Sequence, residues 1–314
     1  SFRPCAGIPL STAKSGIAEQ IRDDRTTFGT ALYFTFKLLI SCMALTLASL
    51  NSGSNGNCYY IGNSNEAVLI DAGISCRETE RRLKRLGLSI EKVKAIFITH
   101  EHNDHISGLH RLIKRHSIPV YVSLATRQSF AMEWSIKLAH SFTPYQPVMI
   151  GDLSITALPK YHDAADPHSF LVTHQTTTVG VFTDMGRVCK HLINNFKQCH
   201  AAILESNYDE EMLETGSYPI HLKNRIRGGM GHISNRQALQ LFMEHRPAFM
   251  SHLVLGHLSY NNNKPSIVEN LFQAVAGNTK IVVASRYRES EAFSISAGAT
   301  PGKVQPVAEQ LQLF

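Results

Sequence analysis

Six cysteines are spread over the chain (Cys5, Cys42, Cys58, Cys76, Cys189 and Cys199) without a CxxC pair or a tight framework spacing. That pattern excludes a thiolate zinc ribbon and a disulfide scaffold, and reads as reduced thiols in a cytosolic protein. Short-period repeats are missing too, which removes solenoid architectures. Charged residues are only 18% of the 314 and hydrophobic ones 43%, the balance of a soluble globular protein with enough apolar side chains for a sizeable core. The net charge of +6 is compatible with a polyanionic partner without requiring one. The apolar stretch over residues 28–50, FGTALYFTFKLLISCMALTLASL, is interrupted by Lys37, which weighs against a membrane anchor. We read Met43 as the start of the domain, and residues 1–42 as a non-native or poorly ordered N-terminal extension.

From Met43 the pattern is β-rich. The runs LTLASL, CYYIG and AVLID are separated by the turn-forming NSGSNGN and NSNE. CRETERRLKRLG has helical composition and stops at Gly87. Strand VKAIFIT, helix HISGLHRLIKRH and strand PVYVS follow, and ATRQSFAMEWSIKLAH is helical in pattern. The second half alternates helix and strand: VCKHLINNFKQC with AAILES, ISNRQALQLFMEH with FMSHLVL, PSIVENLFQAVAG with KIVVAS. Strands first and alternation afterwards predict an α/β protein of the αββα sandwich type, two mixed sheets flanked by helices. The domain is expected to run over residues 43–296, and the small-residue, proline-bearing segment 297–314 to be a flexible tail.

Sixteen histidines are present, and their placement matters more than their number. ITHEHNDHISGL packs His100, His102, Asp104 and His105 directly after an apolar strand. Imidazoles and carboxylates are costly to bury without partners. His100 and His102, two apart on extended backbone, project to one side. Asp104 and His105 enter a helix and approach a neighbouring point, a pattern suited to two zinc ions better than one.

This H-x-H-x-D-H arrangement resembles the defining motif of the metallo-β-lactamase superfamily, and the likeness extends from about Met43 to about Ser296. The resemblance implies that Asp71 in LIDAG orients the histidine loop. It also implies that His162 joins His100 and His102 around one metal, that His257 joins Asp104 and His105 around the other, and that Asp184 bridges them. Asp184 is not a cysteine, so the site lacks a soft thiolate and suits phosphoryl oxygens. Zinc is the expected metal, with manganese or iron also accepted by such donors. The stretches LASLNSGSNGNCYYIG, HDAADP, LESNYDEEML, YPIHLKNRIRGGMGHISN and LGHLSYNNN resemble the YycJ/WalJ-type group, regarded as 5′-to-3′ DNA exonucleases. A looser likeness to tRNA 3′-processing endonucleases puts Glu205 and His232 in a proton-transfer role. The catalytic set is then Asp104, Asp184, Glu205 and His232.

The implied activity is metal-dependent phosphodiester hydrolysis in DNA repair or replication. A tRNA-processing-like RNase, a lactonase or a thioesterase on the same fold is the alternative, and a non-enzymatic clamp- or DNA-binding protein a third. The loop NSGSNGN and the SYNNN segment offer donors to a phosphate, although such turns are more often only turns. Of three basic stretches, RETERRLKRLG, HLKNRIRGG and SRYRES, the second is favoured for nucleic-acid contact, through Lys223, Arg225 and Arg227. Gln310, Leu311, Leu313 and Phe314 in QLQLF resemble the short peptide by which bacterial replication proteins dock on the sliding clamp. No stable membrane partner is expected.

Overall fold

The computed structural model describes residues 44–129, 138–297 and 302–303. The extension over residues 1–42, the helical reading of 130–137 and the clamp peptide lie outside the described residues. Fifteen strands are present among the described residues. The first six form one sheet: β1 (Leu45–Asn51), β2 (Cys58–Gly62), β3 (Ala67–Ile70), β4 (Val93–Phe97), β5 (Val120–Tyr121) and β6 (Ala139–His140). Seven more form the second: β7 (Pro147–Ile150), β8 (Leu153–Pro159), β9 (His168–His174), β10 (Thr177–Phe182), β11 (Ala201–Glu205), β12 (His252–Gly256) and β13 (Lys280–Val283). The last two, β14 (Phe293–Ile295) and β15 (Gly302–Lys303), return to the first sheet beside β1. Gly302–Lys303 is the part of the expected tail that pairs with the body.

Both sheets are mixed in the same way. β1, β2 and β3 pair antiparallel, then β3 to β6 run parallel. In the second sheet β7 to β10 are antiparallel, and β10 to β13 parallel. Antiparallel neighbours need only short turns, whereas parallel ones need a crossover, and most of the helices serve as crossovers. α1 (Cys76–Arg85), α2 (Asn103–Ile106), α3 (Leu109–His116) and α4 (Leu124–Ser129) belong to the first sheet's parallel half. α5 (Lys190–Phe196), α6 (Glu210–Thr215), α7 (Ile220–Arg227), α8 (Asn235–His245) and α9 (Pro265–Gln273) belong to the second's. The Ser75 hydroxyl caps α1 by accepting the Glu78 N–H at 3.2 Å, and Gly87 leaves it at φ +68°. Ser234 and Gln237 make a reciprocal capping box on α8.

The expected αββα sandwich is the observed architecture. Between the sheets lies an apolar layer that includes Phe97, Phe142, Phe170, Val172, Val181 and Ile203. A second cluster packs Phe196, Phe242 and Phe272 from α5, α8 and α9 against the outer face of the second sheet. A third packs Leu83, Leu109 and Leu112 from α1 and α3 against the first. No helix among the described residues is long and apolar enough to cross a membrane.

Phe170 is fully buried, with its ring 5.5 Å from the rings of both Phe97 and Phe142 and edge-on to each. Phe170→Ala removes the centre of that trio and should lower the unfolding free energy by about 3–5 kcal/mol, read from the midpoint of urea denaturation.

Candidate metal centre

Parallel strands deliver their C-terminal ends to one edge. β8 runs with β10 because both are antiparallel to β9, so β8, β10, β11 and β12 all finish together. His162, Asp184, Glu205 and His257 occupy those ends or the first residues beyond them. From the first sheet, Asp71 follows β3, His100 and His102 follow β4, and Asp104 and His105 lie in α2. Gly73 lets α2 approach: a Cβ there would sit 1.7 Å from the Asp104 carbonyl oxygen.

The seven ligand-type side chains named from the sequence converge. His100 Nε2 and His162 Nε2 lie 3.0 and 3.4 Å from His102 Nδ1. Asp104 Oδ2 lies 3.5 Å from both His105 Nε2 and His257 Nε2. Asp184 reaches across both groups, with Oδ2 3.3 Å from His105 Nε2, and Oδ1 3.3 Å from His257 Nε2 and 3.9 Å from His162 Nε2. Three imidazoles are fixed from behind. His105 gives its Nδ1–H to Asp71 Oδ2 at 2.7 Å, His162 to the Gly231 carbonyl at 3.0 Å, and His257 to Glu205 Oε1 at 3.0 Å. Each therefore turns Nε2 into the cluster. Asp71 also accepts the Thr99 N–H and hydroxyl, so one carboxylate holds both the ring and the loop before it.

Glu205 is fully buried and completely used. Oε2 accepts the N–H groups of Met185 and Ile233, while Oε1 faces His232 Nδ1 at 2.8 Å as well as His257. It orients two imidazoles and does not meet solvent. His232 keeps 19% of its side chain exposed, and its Nε2 has no hydrogen-bond partner among the described residues.

The charges are matched locally. Burial works to raise the Asp184 carboxyl, but His257 and His105 outweigh it and hold it well below the usual carboxylate range. Burial likewise works to raise Glu205, and His232 and His257 hold it at about 2. Burial works to lower His257, whereas Asp184, Asp104 and Glu205 raise it to about 10. Burial pushes His162 down to about 4. In this network His105 and His257 carry the protons that balance the carboxylates, so cation uptake must displace them.

The donor set fits divalent cations. His162 turns a bare nitrogen toward His100 and His102, and Asp184 Oδ2 is buried without a hydrogen-bond partner. Unpaired buried acceptors facing one another are costly, and a cation between them removes the cost.

Three further side chains adjoin the cluster, of which only Asn57 belongs to a stretch that the sequence singles out as a donor loop, NSGSNGN. Asn57 is buried and puts Nδ2 3.1 Å from both Asp104 Oδ2 and His105 Nε2. Asn207 donates to the His257 carbonyl at 2.7 Å, and Lys160 Nζ to the Thr183 carbonyl beside Asp184 at 2.7 Å. The basic trio on α7 is already engaged. Lys223 is buried with its ammonium on the Glu214 carbonyl, Arg225 pairs with Asp163, and Arg227 with the Glu214 carboxylate.

Two mixed sheets face to face, with a histidine–carboxylate cluster at their strand ends, define a metal-binding αββα protein. A model of the Beta-lactamase superfamily domain matches residues 66–257. The chain is 34% identical to exodeoxyribonuclease YycJ of Bacillus anthracis over 226 residues, covering 70% of this chain and 85% of that protein. It is 32% identical to exodeoxyribonuclease WalJ of Streptococcus pneumoniae over 221 residues, covering 68% and 81%. The metallo-β-lactamase fold protein YhfI from Bacillus subtilis superposes with a TM-score of 0.62 at 16% identity, over 80% of this chain and 99% of that one. The chain belongs to the metallo-β-lactamase superfamily, within the group that contains YycJ and WalJ.

Asp71→Asn weakens the acceptor behind His105 while keeping its shape. Metal affinity should fall by about 10–100-fold, measured by competition with a chromogenic chelator.

Proposed function

We propose that the protein is a divalent-metal-dependent phosphodiesterase acting on DNA, a 5′-to-3′ exodeoxyribonuclease of repair or replication. The observation that carries the hydrolytic reading is His232, pinned by Glu205 at the open edge of the histidine–carboxylate cluster. The names of the relatives support DNA as substrate, and the absence of a thiolate among the seven donors supports phosphoryl oxygen as the group bound.

In this reading His100, His102 and His162 would hold one cation and Asp104, His105 and His257 a second, with Asp184 a ligand available to each. Zinc suits these donors best, with manganese as the alternative. Bound there, the cations supply activation of water and neutralisation of charge on the phosphate. Asp71 keeps His105 in the tautomer that presents Nε2, and Glu205 does the same for His257. Glu205 also takes the Nδ1–H of His232, which leaves Nε2 of that ring to hold a proton for the departing 3′-oxygen. Such a group typically contributes 10²–10⁴-fold in rate.

The metal-loaded protein should shorten a 5′-phosphorylated oligonucleotide from its 5′ end, and chelation should abolish the reaction. Asp104→Ala should be inactive, and His232→Ala should lose about 10²–10⁴-fold in kcat with its metal content retained. End-labelled single- and double-stranded DNA and RNA are the substrates to compare, beside a thioester and a lactone. Preferred turnover of the ester or lactone would sink the nuclease reading.

The reading extends to the segments around the catalytic body. Residues 43–296 carry the activity in the cytoplasm, and Gln310, Leu311, Leu313 and Phe314 tether it to a sliding clamp. A chain of residues 43–296 should keep hydrolysis of free oligonucleotides and lose co-elution with the clamp. Co-elution that persists would make the terminal peptide incidental.

A further inference from the structure

We propose that two arginine-braced tyrosines, Tyr161 with Arg187 and Tyr260 with Arg286, form the two sides of a track that carries an unpaired nucleic-acid strand across the histidine–carboxylate cluster. The proposal rests on the nuclease reading for the identity of the strand, and on separate residues for its path.

Each tyrosine belongs to a segment that also supplies a cluster histidine. Tyr161 immediately precedes His162, and Tyr260 follows His257 by three residues. The rings of His162, His232 and His257 form a row with centroids 5.4 and 5.2 Å apart, and its first and last members belong to the segments that carry Tyr161 and Tyr260. The Arg187 guanidinium lies 3.5 Å from the centroid of Tyr161, and that of Arg286 lies 5.2 Å from the centroid of Tyr260. The tyrosines nevertheless remain 40% and 65% exposed. With a cation already against each ring, this exposed aromatic surface is available to a flat, π-bearing group.

The arginines differ from the other basic residues near the site. Arg286 donates to the Leu258 carbonyl at 2.9 Å, and Arg187 is exposed beyond its ring contact. Neither meets a carboxylate among the described residues, whereas Arg225 and Arg227 both do. A base for the ring and a phosphate for the guanidinium, repeating along one polymer, describe a single strand.

The surface continues the path on the Tyr260 side. A groove of about 830 Å³ starts at Ser52 and Leu258, beside His257, and is lined by Arg286, Tyr287 and Arg288. Tyr287 is 71% exposed. Of the three carboxylates that line it, Glu289 and Glu291 are engaged by Arg85 and Lys280, and Glu269 is exposed without an ion pair among the described residues. The third basic stretch in the sequence, SRYRES, thus lines a groove beside the cluster, while in the second Arg225 and Arg227 meet carboxylates and Lys223 a backbone carbonyl.

The test is binding, which does not depend on cleavage. The probe is a fluorescein-labelled, 5′-phosphorylated oligothymidylate with phosphorothioate linkages, titrated by anisotropy against the metal-loaded full chain at several salt concentrations. The Tyr161→Ala/Tyr260→Ala pair should weaken binding about 30-fold or more, the loss of two base stacks, and Tyr161→Phe/Tyr260→Phe should restore it. Arg187→Ala/Arg286→Ala should reduce the slope of log affinity against log salt by about 1.4, two phosphate contacts on a single strand. Arg77→Ala/Lys84→Ala, an equal charge change on the exposed face of α1, should leave affinity and slope as they were. Thermal melting checks that every variant is folded. Tyrosine-pair affinity within twofold of the starting protein, or an unchanged salt slope in the arginine pair, overturns the track. Starting protein that binds but does not cleave the ordinary phosphodiester counts against the nuclease reading and for the track.

Discussion

The structure depends on a local electrostatic balance between buried imidazoles and carboxylates at the strand ends. Imidazole nitrogens and carboxylate oxygens from both sheets meet in a buried space within 3.0–3.5 Å of one another. Such a gathering gains nothing from hydrophobic burial and is costly as long as its acceptors face each other. The sandwich tolerates it because three of the five imidazoles are held from outside the cluster. Asp71, Glu205 and the Gly231 carbonyl take the far nitrogens of three rings. The site is therefore a product of tautomer control: each supporting acceptor decides which nitrogen lone pair points inward.

The backbone contributes strain at the same points. Six non-glycine residues have positive φ among those described, and three of them are Asp71, Asp184 and His257, at +63°, +53° and +55°. Each sits one or two residues past a strand end, where the chain must turn at once to aim a side chain at the common edge. Such conformations cost about 1–3 kcal/mol each and persist only when their surroundings over-determine them. Those surroundings are visible: the His257 N–H is taken by the Ser52 hydroxyl, and its carbonyl by Asn207. The Asp71 N–H is taken by the Phe97 carbonyl. Stability of the sheets is what holds the site in its unfavourable geometry.

What was legible in the sequence follows from range. The alternation of strand and helix reports local burial, and the αββα layering follows from it. H-x-H-x-D-H is also local, four ligand types on one strand-to-helix turn, and could be read from its own spacing. His162, Asp184 and His257 are lone residues separated by tens of positions, and only the resemblance to a family marked them. Asn57 lies in a loop read only as a donor to a phosphate, and Asn207 and Lys160 have ordinary identities that nothing in one sequence separates from turn or surface residues. Their roles appear only when β2, β8 and β11 bring their neighbourhoods to the cluster edge. Positive φ at an aspartate or a histidine leaves no compositional trace at all.

Charge shows the same limit from the other direction. Lys223, Arg225 and Arg227 are dense along the chain and close in sequence to His232, which made them the natural candidates for a polyanion. In three dimensions α7 lies against α6 and the 163 loop, so Glu214 and Asp163 satisfy them. A basic side chain offers a phosphate its full charge only when its own protein has not already neutralised it. Arg187 and Arg286 look sparse in the sequence, yet each is spent on an aromatic face and not on a carboxylate. Pairing, which depends on tertiary neighbours, decides which cations remain available, and linear charge density does not.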